Sequence, residues 1–290
     1  MTVDDLRSAL ATLRYSWPDR WPGLPAVLLH CLAGLKHNQG CHPEPSRYRS
    51  LKEACLGMAE QVEMAHAAMA ADSLEAAYHN RLHFGDTLWC MATLLAASRD
   101  RSDQSPQQAD KDPGYTSMQR ESQEMLAMLV MVTHDFRHDG RINQHPMEME
   151  SRSAMLAEPM LVTHGLSPDD VALIKRLIQY TDPSKVAGNH REVIGLPFSL
   201  DEARWLQVIV NEADILASTL PDFGDLLGQS LSLEWSKVNQ AMAQSVGTRS
   251  GRLYFLEKLA IFSSPGSHRL GLDQLRNEQI MSLRMENASA

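Results

Sequence analysis

The sequence predicts an all-α protein, a multi-helix bundle in a single domain of residues 1–290. The apolar segments are rich in Leu, Ala and Met, which favour helices; the chain contains 16 Met, and aromatic residues make up only 6%. Alternating segments rich in Val and Ile, which would predict strands, are scarce. A length of 290 residues is near the limit of one hydrophobic core and is compatible with one large domain or two small ones.

The first four helices are expected from capping residues and apolar periodicity. Thr2 and Asp5 have the spacing of a capping box, which opens a helix that ends near Arg14. After three prolines, the next apolar segment predicts a short helix over 26–35. A long periodic segment follows, and Ser73 is the expected N-cap of the helix after it. These last two helices are expected over 46–71 and 73–97.

Stop and start signals also delimit the helices of the C-terminal part. Gly165 is a good C-terminal stop, and Ser167 and Pro168 supply an N-cap and a first-turn proline for the next helix. Ser199 and Glu202 have the spacing of a second capping box. The helices expected in this part are 118–134, 148–164, 168–180, 199–220, 223–244, 250–262 and 272–285.

Residues 98–117 interrupt the helices with a polar segment that contains two prolines and has no apolar period. We expect a surface loop here. It does not have to be a domain boundary, because candidate site residues on both sides of it are expected to converge on one site. The chain shows no internal repeat.

Composition argues against several classes of function. The formal net charge of −9 argues against broad nucleic-acid binding, which needs a basic face. The N-terminus is acidic within five residues and has no apolar core, so we expect no signal peptide. The most apolar run, 125–133, is too short to cross a bilayer. The four cysteines match no disulfide framework or zinc CxxC pair. We therefore expect a cytoplasmic protein without a membrane or nucleic-acid partner, and a homo-oligomer is compatible with these features.

The first group of candidate functional residues lies between Tyr78 and Asp86. His79 and His83 are four residues apart on a predicted helix, a spacing that places both imidazoles on one face about one turn apart. Asp86, three residues further on, shares that face. Two histidines at this spacing more often form part of a polar surface stripe. The alternative is a metal ligand beside a second histidine that transfers a proton.

The second group stands at the end of a strongly apolar helix, which runs directly into His134 and Asp135. Burial of these two side chains is unfavourable unless they are paired or bind a metal ion. A carboxylate can bridge two cations while the neighbouring imidazole binds one of them. The alternative is an ordinary helix C-terminus with a capping histidine and an exposed aspartate.

Asp214 is the third candidate and lies in a helix that is largely apolar along one side. Its neighbours Ala213 and Ile215 place it close to the buried face, whereas Glu212 is expected to face solvent. Two imidazoles and two carboxylates together suit Zn²⁺, iron or Mn²⁺ at one position. With Asp135 as a bridge, a second, harder ion such as Mg²⁺ or Mn²⁺ fits nearby.

The order of these residues, His, then His-Asp, then Asp, resembles that of the HD-domain metal-dependent phosphohydrolases. The closer likeness is to class I cyclic nucleotide phosphodiesterases. Their motif YHNxxHAxD is similar to residues 78–86, with Phe84-Gly85 in place of Ala-x. Their motif HDxxHPGxxN is similar to residues 134–143, with Asp139 in place of the proline.

Two further similarities lie later in the chain. Residues 181–186 resemble TDxSKH without its final histidine, and residues 213–218 resemble ADxSNP without its Asn-Pro. Between the HD and TD motifs the family has a glutamate at a helix start, and Glu150 fits this position better than Glu158. The matched motifs span 78–218, and the likeness implies an HD-domain, phosphodiesterase-like bundle over nearly the whole chain.

The resemblance implies a metal centre with two divalent cations. The ligands of the tighter ion would be His83, His134, Asp135 and Asp214. Asp135 would also bridge to the second ion, and both ions would activate a bridging water or hydroxide that attacks phosphorus. Zn²⁺, iron or Mn²⁺ would occupy the tighter position, and Mg²⁺ or Mn²⁺ the second one.

The resemblance also implies roles for the residues around the metal centre. His79 would be the general acid that protonates the departing 3′ oxygen. His138 and Glu150 would orient waters on the second ion. Asp86 and Asn143 would have structural roles around the site.

The substrate pocket of the family clamps a purine between a late glutamine and a phenylalanine. Phe255 is the candidate stacking ring, and an ordinary core aromatic is an equal alternative for it. Arg252 stands about where the glutamine would be. An arginine there would favour a different base, or a phosphate group of a larger substrate. Tyr78, from the first motif, is the third candidate substrate contact.

We therefore expect a phosphoric diester hydrolase that acts on a small phosphodiester, with a 3′,5′-cyclic nucleotide as first choice. An enzyme of the same superfamily acting on another nucleotide or dinucleotide signal is the first alternative. A non-catalytic sensor that binds a nucleotide or metal is the second, although no ligand or general acid is missing from the motifs. Oxidative chemistry at a di-iron version of the site is the third, because the ligand types overlap.

Overall fold

The computed structural model describes residues 1–35, 37, 46–99 and 113–288. Within these ranges the chain is all-α, as predicted, and contains no strand. None of the described helices combines the length and the apolar character needed to span a bilayer. In chain order the helices are α1 (Val3–Ser16), α2 (Leu24–Leu35), α3 (Ser46–Ala71), α4 (Arg81–Ser98), α5 (Pro113–Thr133), α6 (Glu148–Thr163), α7 (Pro168–Gln179), α8 (Pro183–Glu192), α9 (Ala203–Thr219), α10 (Gly224–Trp235), α11 (Gln240–Val246), α12 (Arg249–Tyr254), α13 (Pro265–Arg269) and α14 (Leu272–Ala288), with a π-helical turn, Phe255–Leu259, after α12.

Several helices have nearly their predicted bounds. α1 begins with the predicted capping box: the Thr2 hydroxyl accepts the Asp5 amide hydrogen at 3.1 Å, and the Asp5 carboxylate accepts that of Thr2 at 2.8 Å. α3 spans the predicted residues. α6 and α7 also match, and Ser167 caps α7 just ahead of Pro168. These helix starts depend on neighbouring side chains, which is why the sequence predicts them.

The fourth predicted helix begins later than expected. α4 starts at Arg81, because the Asn80 side chain accepts two backbone amide hydrogens of the first turn and caps the helix. Ser73 does not cap it, and its φ of 59° places it in a left-handed turn. The expectation that His79 and His83 lie on one helical face is therefore wrong, since His79 precedes the helix.

The last part of the expected surface loop over 98–117 is helical. α4 ends at Ser98, but α5 already begins at Pro113. A proline fits the first turn of a helix, where its missing amide hydrogen would have no partner, so this loop signal is also a helix start. Residues 100–112 lie outside the described part of the chain.

The later helices differ from the prediction mainly in where they begin and break. α9 begins at Ala203, and Glu202 makes no side-chain cap, so the second predicted capping box is wrong. The helix expected over 223–244 is two helices, α10 and α11. The helix expected over 250–262 is α12 followed by the π-helical turn. α8 has no counterpart in the prediction, and the Asp182 carboxylate caps it.

α4 is the central helix of the bundle. It packs against α1, α2, α5, α9 and α13, and most of its side chains are buried. Because it is apolar on nearly all sides, it lacks the one-sided pattern of a surface helix. Its N-terminal end meets the C-terminal end of α5 and the middle of α9, and the candidate site lies at this junction.

Candidate metal centre

Four side chains from three parts of the chain converge at the N-terminal end of α4. His83 lies in its first turn, His134 and Asp135 follow α5, and Asp214 lies within α9. Nε2 of His83 is 3.2 Å from Oδ2 of Asp135 and 3.4 Å from Oδ1 of Asp214. Nε2 of His134 lies 3.1 Å and 3.4 Å from the same two oxygens. The structure thus brings together the four residues predicted as ligands of the tighter ion.

These separations suit ligands of one metal ion. Two ligand atoms that each lie about 2.1 Å from an ion are about 3.0 to 3.4 Å apart at octahedral to tetrahedral angles. The two imidazole Nε2 atoms are 3.3 Å apart, within the same range as the carboxylate distances. Two nitrogens and two carboxylate oxygens form a donor set that suits Zn²⁺, iron or Mn²⁺. The residues present therefore fit the ion that the resemblance implies.

His134 is held in the orientation that a ligand requires. Its ring is buried at the end of α5, and its Nδ1 donates to the carbonyl oxygen of Met131 at 2.9 Å. This hydrogen bond keeps a ring hydrogen on Nδ1, so Nε2, which faces the other three ligands, is the nitrogen available to a metal ion.

The imidazoles of the cluster favour the ionised form of its two carboxylates. Burial alone would raise the pKa of Asp135, but the imidazoles of His134 and His79 lower it well below its usual range. Burial would also raise the pKa of Asp214, and His134 and His83 lower it. A divalent cation supplies the same compensation when it replaces the imidazole protons.

His79 stands beside this cluster, directly ahead of the α4 cap. Its Nδ1 lies 2.5 Å from Oε1 of Glu234, and its Nε2 lies 3.9 Å from Oδ2 of Asp135. The second oxygen of Glu234 accepts the amide hydrogens of Tyr78 and His79 at 2.7 Å and 3.0 Å. Burial alone would lower the pKa of His79, but Glu234 and Asp135 outweigh it and raise the pKa to about 9. His79 is therefore an imidazolium at neutral pH, with Nε2–H on the side of the ligands.

Glu234, on α10, is a functional candidate that sequence reasoning missed, because it belongs to no motif. The sequence contains one indirect signal for it in Gly140. That residue has a φ of 78°, and a Cβ there would lie 2.9 Å from Cγ of Glu234. Glycine at this position therefore permits both the left-handed turn and the close approach of the glutamate.

His138 stacks on His79, with the ring centroids 3.8 Å apart and the planes inclined by 29°. Its Nδ1 accepts the amide hydrogen of Gly140 at 3.1 Å. Burial and the positive charge of His79 lower the pKa of His138 to about 4, so this second ring is neutral. His79, Asp135 and His138 form a second group whose possible ligand atoms lie within 4.8 Å of one another. Asp135 belongs to both groups, and its predicted role as a bridge stays a prediction.

Glu150, in the first turn of α6, forms a polar cluster with Asn143 and Asp182. Nδ2 of Asn143 donates to both oxygens of Glu150, at 3.1 Å and 2.9 Å, and to Oδ2 of Asp182 at 3.2 Å. Burial raises the pKa of Glu150 to about 7. The competing candidate, Glu158, pairs instead with Lys175 at 2.6 Å on the surface. Glu150 thus shares a cluster with Asp182, from the TD motif, and its predicted role at the second ion stays a prediction.

Asp86 is turned away from the ligand cluster. It is buried and accepts two hydrogen bonds from the guanidinium of Arg14, at 2.8 Å and 2.6 Å. This ion pair connects α1 to α4 within one turn of His83, a placement in keeping with the structural role expected of Asp86.

Tyr78 packs between the two histidines of the first motif. Its ring centroid lies 4.8 Å from those of His79 and His83, and its hydroxyl lies 3.2 Å from Oγ of Ser218. Burial raises the pKa of Tyr78, so the phenol is neutral. Its predicted contact with substrate stays a prediction.

Arg252 and Phe255, the other predicted substrate contacts, both have partners within the protein. The guanidinium of Arg252 donates to the Ser218 carbonyl at the end of α9 and to Oε1 of Gln279, the latter at 2.7 Å. Phe255 lies 5.7 Å from that guanidinium and packs against the main core. These contacts stabilise the end of α9, and a substrate role for either residue stays a prediction.

Glu212 is buried, and the expectation that it faces solvent is wrong. Its carboxylate accepts the amide hydrogens of Ser263 and Ser264, at 2.5 Å and 2.7 Å, just ahead of α13. Periodicity within α9 cannot indicate such a partner, because the two serines are about fifty residues away in sequence.

No protein-family model matches the chain, and no curated protein is found to be similar to it. The resemblance to HD-domain phosphohydrolases is therefore a hypothesis that depends on the motif residues and on the geometry described above.

Proposed function

We propose that the protein is a metal-dependent phosphohydrolase that cleaves a phosphodiester, with a 3′,5′-cyclic nucleotide as the first candidate substrate. One observation carries the proposal. The ligand nitrogens of His83 and His134 lie 3.3 Å from each other and 3.1 to 3.4 Å from carboxylate oxygens of Asp135 and Asp214, with an imidazolium–carboxylate pair beside them. This combination of a cation site and a proton donor can catalyse phosphodiester hydrolysis.

The residues present would form two adjoining cation positions. His83, His134, Asp135 and Asp214 would hold the tighter ion, and Asp135 would extend to the second. A pair of divalent cations, when bound, would stabilise the negative charge of the phosphoryl oxygens and lower the pKa of a water molecule between them. The neutral ring of His138 and the carboxyl group of Glu150 are the polar groups that would orient further waters.

His79 is the proposed proton donor. Its Nδ1–H donates to Glu234, which fixes the tautomer and holds the ring in place. Its Nε2–H then faces the ligand cluster, 3.9 Å from Oδ2 of Asp135. The hydrogen bond to the Glu234 carboxylate favours the charged ring, which can then donate its Nε2 proton to the 3′ oxygen as that oxygen departs.

The substrate is proposed to be a small phosphodiester, because two metal positions and one donor suit a single phosphodiester group. Arg252 is bound to the end of α9, so we do not assign it a base. Other nucleotide or dinucleotide phosphodiesters therefore stay alternative substrates of the same site.

The experiment that tests this function combines metal analysis with a hydrolysis panel. Purified protein is assayed for bound Zn, Fe and Mn, then with added Mg²⁺ or Mn²⁺ against cyclic AMP, cyclic GMP, a cyclic pyrimidine nucleotide, cyclic dinucleotides, linear nucleotides and a nitrophenyl phosphodiester. Bound metal with turnover of a cyclic nucleotide would support the proposal. Metal without turnover of any phosphate ester would contradict it, and oxygen consumption by iron-loaded protein would indicate oxidative chemistry instead.

A further inference from the structure

His66 lies on α3, outside every motif, and its side chain is fully buried. Its Nε2 accepts the amide hydrogen of Arg137 at 3.3 Å. Among the described residues, its Nδ1 has no hydrogen-bond partner, and Oε1 of Glu75 is 3.9 Å away. This buried ring therefore directs its hydrogen bond to the segment that carries two of the candidate ligands.

Arg137 occupies an unfavourable backbone conformation within that segment. Its φ of 57° lies in the left-handed region, which a residue with a Cβ seldom adopts. It stands between Asp135 and His138, and the His138 amide donates to the Asp135 carbonyl at 2.8 Å to close the turn. His66 supplies the acceptor for the Arg137 amide in this turn, and loss of this hydrogen bond would destabilise the turn.

His66 also contacts the other ligand-bearing segment. Its ring packs edge-on against Phe84, with the centroids 5.1 Å apart. Phe84 follows His83 in α4, and its ring lies 5.6 Å from that of His134. One side chain of α3 thus touches the start of α4 directly and the turn after α5 through a hydrogen bond.

The chemistry of the hydrogen bond determines which substitutes could replace His66. Nε2 accepts a hydrogen bond only if it carries no hydrogen, so the ring hydrogen is on Nδ1. Burial lowers the pKa of His66 to about 4, which keeps the ring neutral at pH 7. Glutamine would place an amide oxygen near the position of Nε2. Asparagine would reach only the position of Nδ1, and leucine would offer no acceptor.

We propose that His66 is a positioning residue of the candidate metal centre: by accepting the Arg137 amide hydrogen it holds the turn that carries Asp135 and His138. The inference rests on the proposed function, because a positioning role presupposes that the centre binds metal. It adds to that function a residue of α3 that no motif indicates.

The test compares His66→Leu, His66→Asn and His66→Gln with the wild-type chain. Co²⁺ affinity is measured by competition with a chromophoric chelator, the visible cobalt bands report ligand geometry, and amide exchange at Arg137 is followed in metal-free protein. We expect His66→Leu and His66→Asn to weaken Co²⁺ binding by about tenfold or more, the usual effect of removing a group that orients a ligand. Both variants should also shift the cobalt bands and speed amide exchange at Arg137. In His66→Gln, the Co²⁺ affinity, the cobalt bands and the exchange rate should stay close to those of the wild type.

His190→Leu is the matched control. His190, on α8, is another buried histidine, and its Nδ1 bonds to the Ser263 hydroxyl at 2.8 Å. Loss of the His190 ring should lower the midpoint of unfolding without shifting the cobalt bands. If His66→Leu does not fold, His66→Asn and His66→Gln still test the role of the acceptor.

Two results would overturn the inference while the proposed function stands. The first is that His66→Leu or His66→Asn binds cobalt with the affinity and the spectrum of the wild type. The second is that His66→Gln weakens cobalt binding as much as His66→Leu and His66→Asn do. A wild-type chain that binds no cobalt would overturn the proposed function and the inference together, and this is seen before any variant is made.

Discussion

Oε1 of Glu234 lies 2.5 Å from Nδ1 of His79, although 155 residues separate the two in sequence. The same carboxylate accepts the backbone amide hydrogens of Tyr78 and His79 through its other oxygen. One glutamate thus fixes both the backbone and the ring of the proposed proton donor, and the first prediction concerns its charge.

Glu234→Gln should keep the metal and lower kcat by about tenfold or more, because a neutral amide orients the imidazole less well and stabilises its charge less. Steady-state kinetics with metal analysis of the same sample measure both effects. Glu158→Gln, at a half-buried glutamate paired with Lys175, is the control and should behave as wild type. Unchanged kcat in Glu234→Gln would remove Glu234 from the proposed mechanism.

His79→Ala should retain bound metal and lose most turnover. The four predicted ligands of the tighter ion do not include His79, and loss of a general acid lowers rates by about 10²- to 10⁴-fold. Metal content and kcat are compared with those of His145→Ala, a change at an exposed histidine outside the cluster. Loss of metal in His79→Ala would show that the roles of His79 and His83 are misassigned.

Asp135→Ala should lose metal and activity together. Oδ2 of Asp135 lies 3.2 Å and 3.1 Å from the ligand atoms of His83 and His134, and the same residue belongs to the second group of possible ligands. Elemental analysis after dialysis, followed by the hydrolysis assay, checks both outcomes. An active variant with its full metal content would contradict the assignment of the predicted ligands.

Glu124 lies outside the candidate metal centre, and its charge should make the stability of the fold depend on pH. It is fully buried and accepts hydrogen bonds from Arg99 and Arg120, at 2.8 Å and 3.1 Å, and lies 2.9 Å from Nε2 of His37. Burial alone would raise the pKa of Glu124, but Arg99 and His37 lower it from 4.5 to about 2. A pKa that is lower in the folded than in the unfolded chain stabilises the fold above pH 4.5, and this contribution is lost as the pH falls toward 2.

The measurement is the free energy of unfolding by urea, from pH 7 downward, for wild type and Glu124→Gln. The difference between the two should shrink by up to about 3 kcal/mol as the pH falls through this window. A difference that stays constant with pH would show that the charge of Glu124 does not stabilise the fold.

Local signals account for the parts of the fold that the sequence predicts. Thr2 with Asp5, and Ser167 with Pro168, start helices through bonds within a few residues, so their positions can be inferred from the chain itself. The same reasoning fails at Ser73, because Asn80 is a competing cap seven residues later, and the helix begins there. His79 therefore reaches the site from a turn, not from the face of a helix.

The sequence by itself determined that the chain is helical and which histidines and aspartates are candidate ligands, since composition, periodicity and motif order depend on residue identity alone. Only the tertiary structure decided that Glu234 pairs with His79, that Glu212 is buried and that His66 bonds to Arg137. Each of these contacts joins residues more than fifty positions apart in sequence. A polar side chain carries no local mark of a distant partner, because its burial becomes favourable only when packing brings that partner within hydrogen-bonding distance.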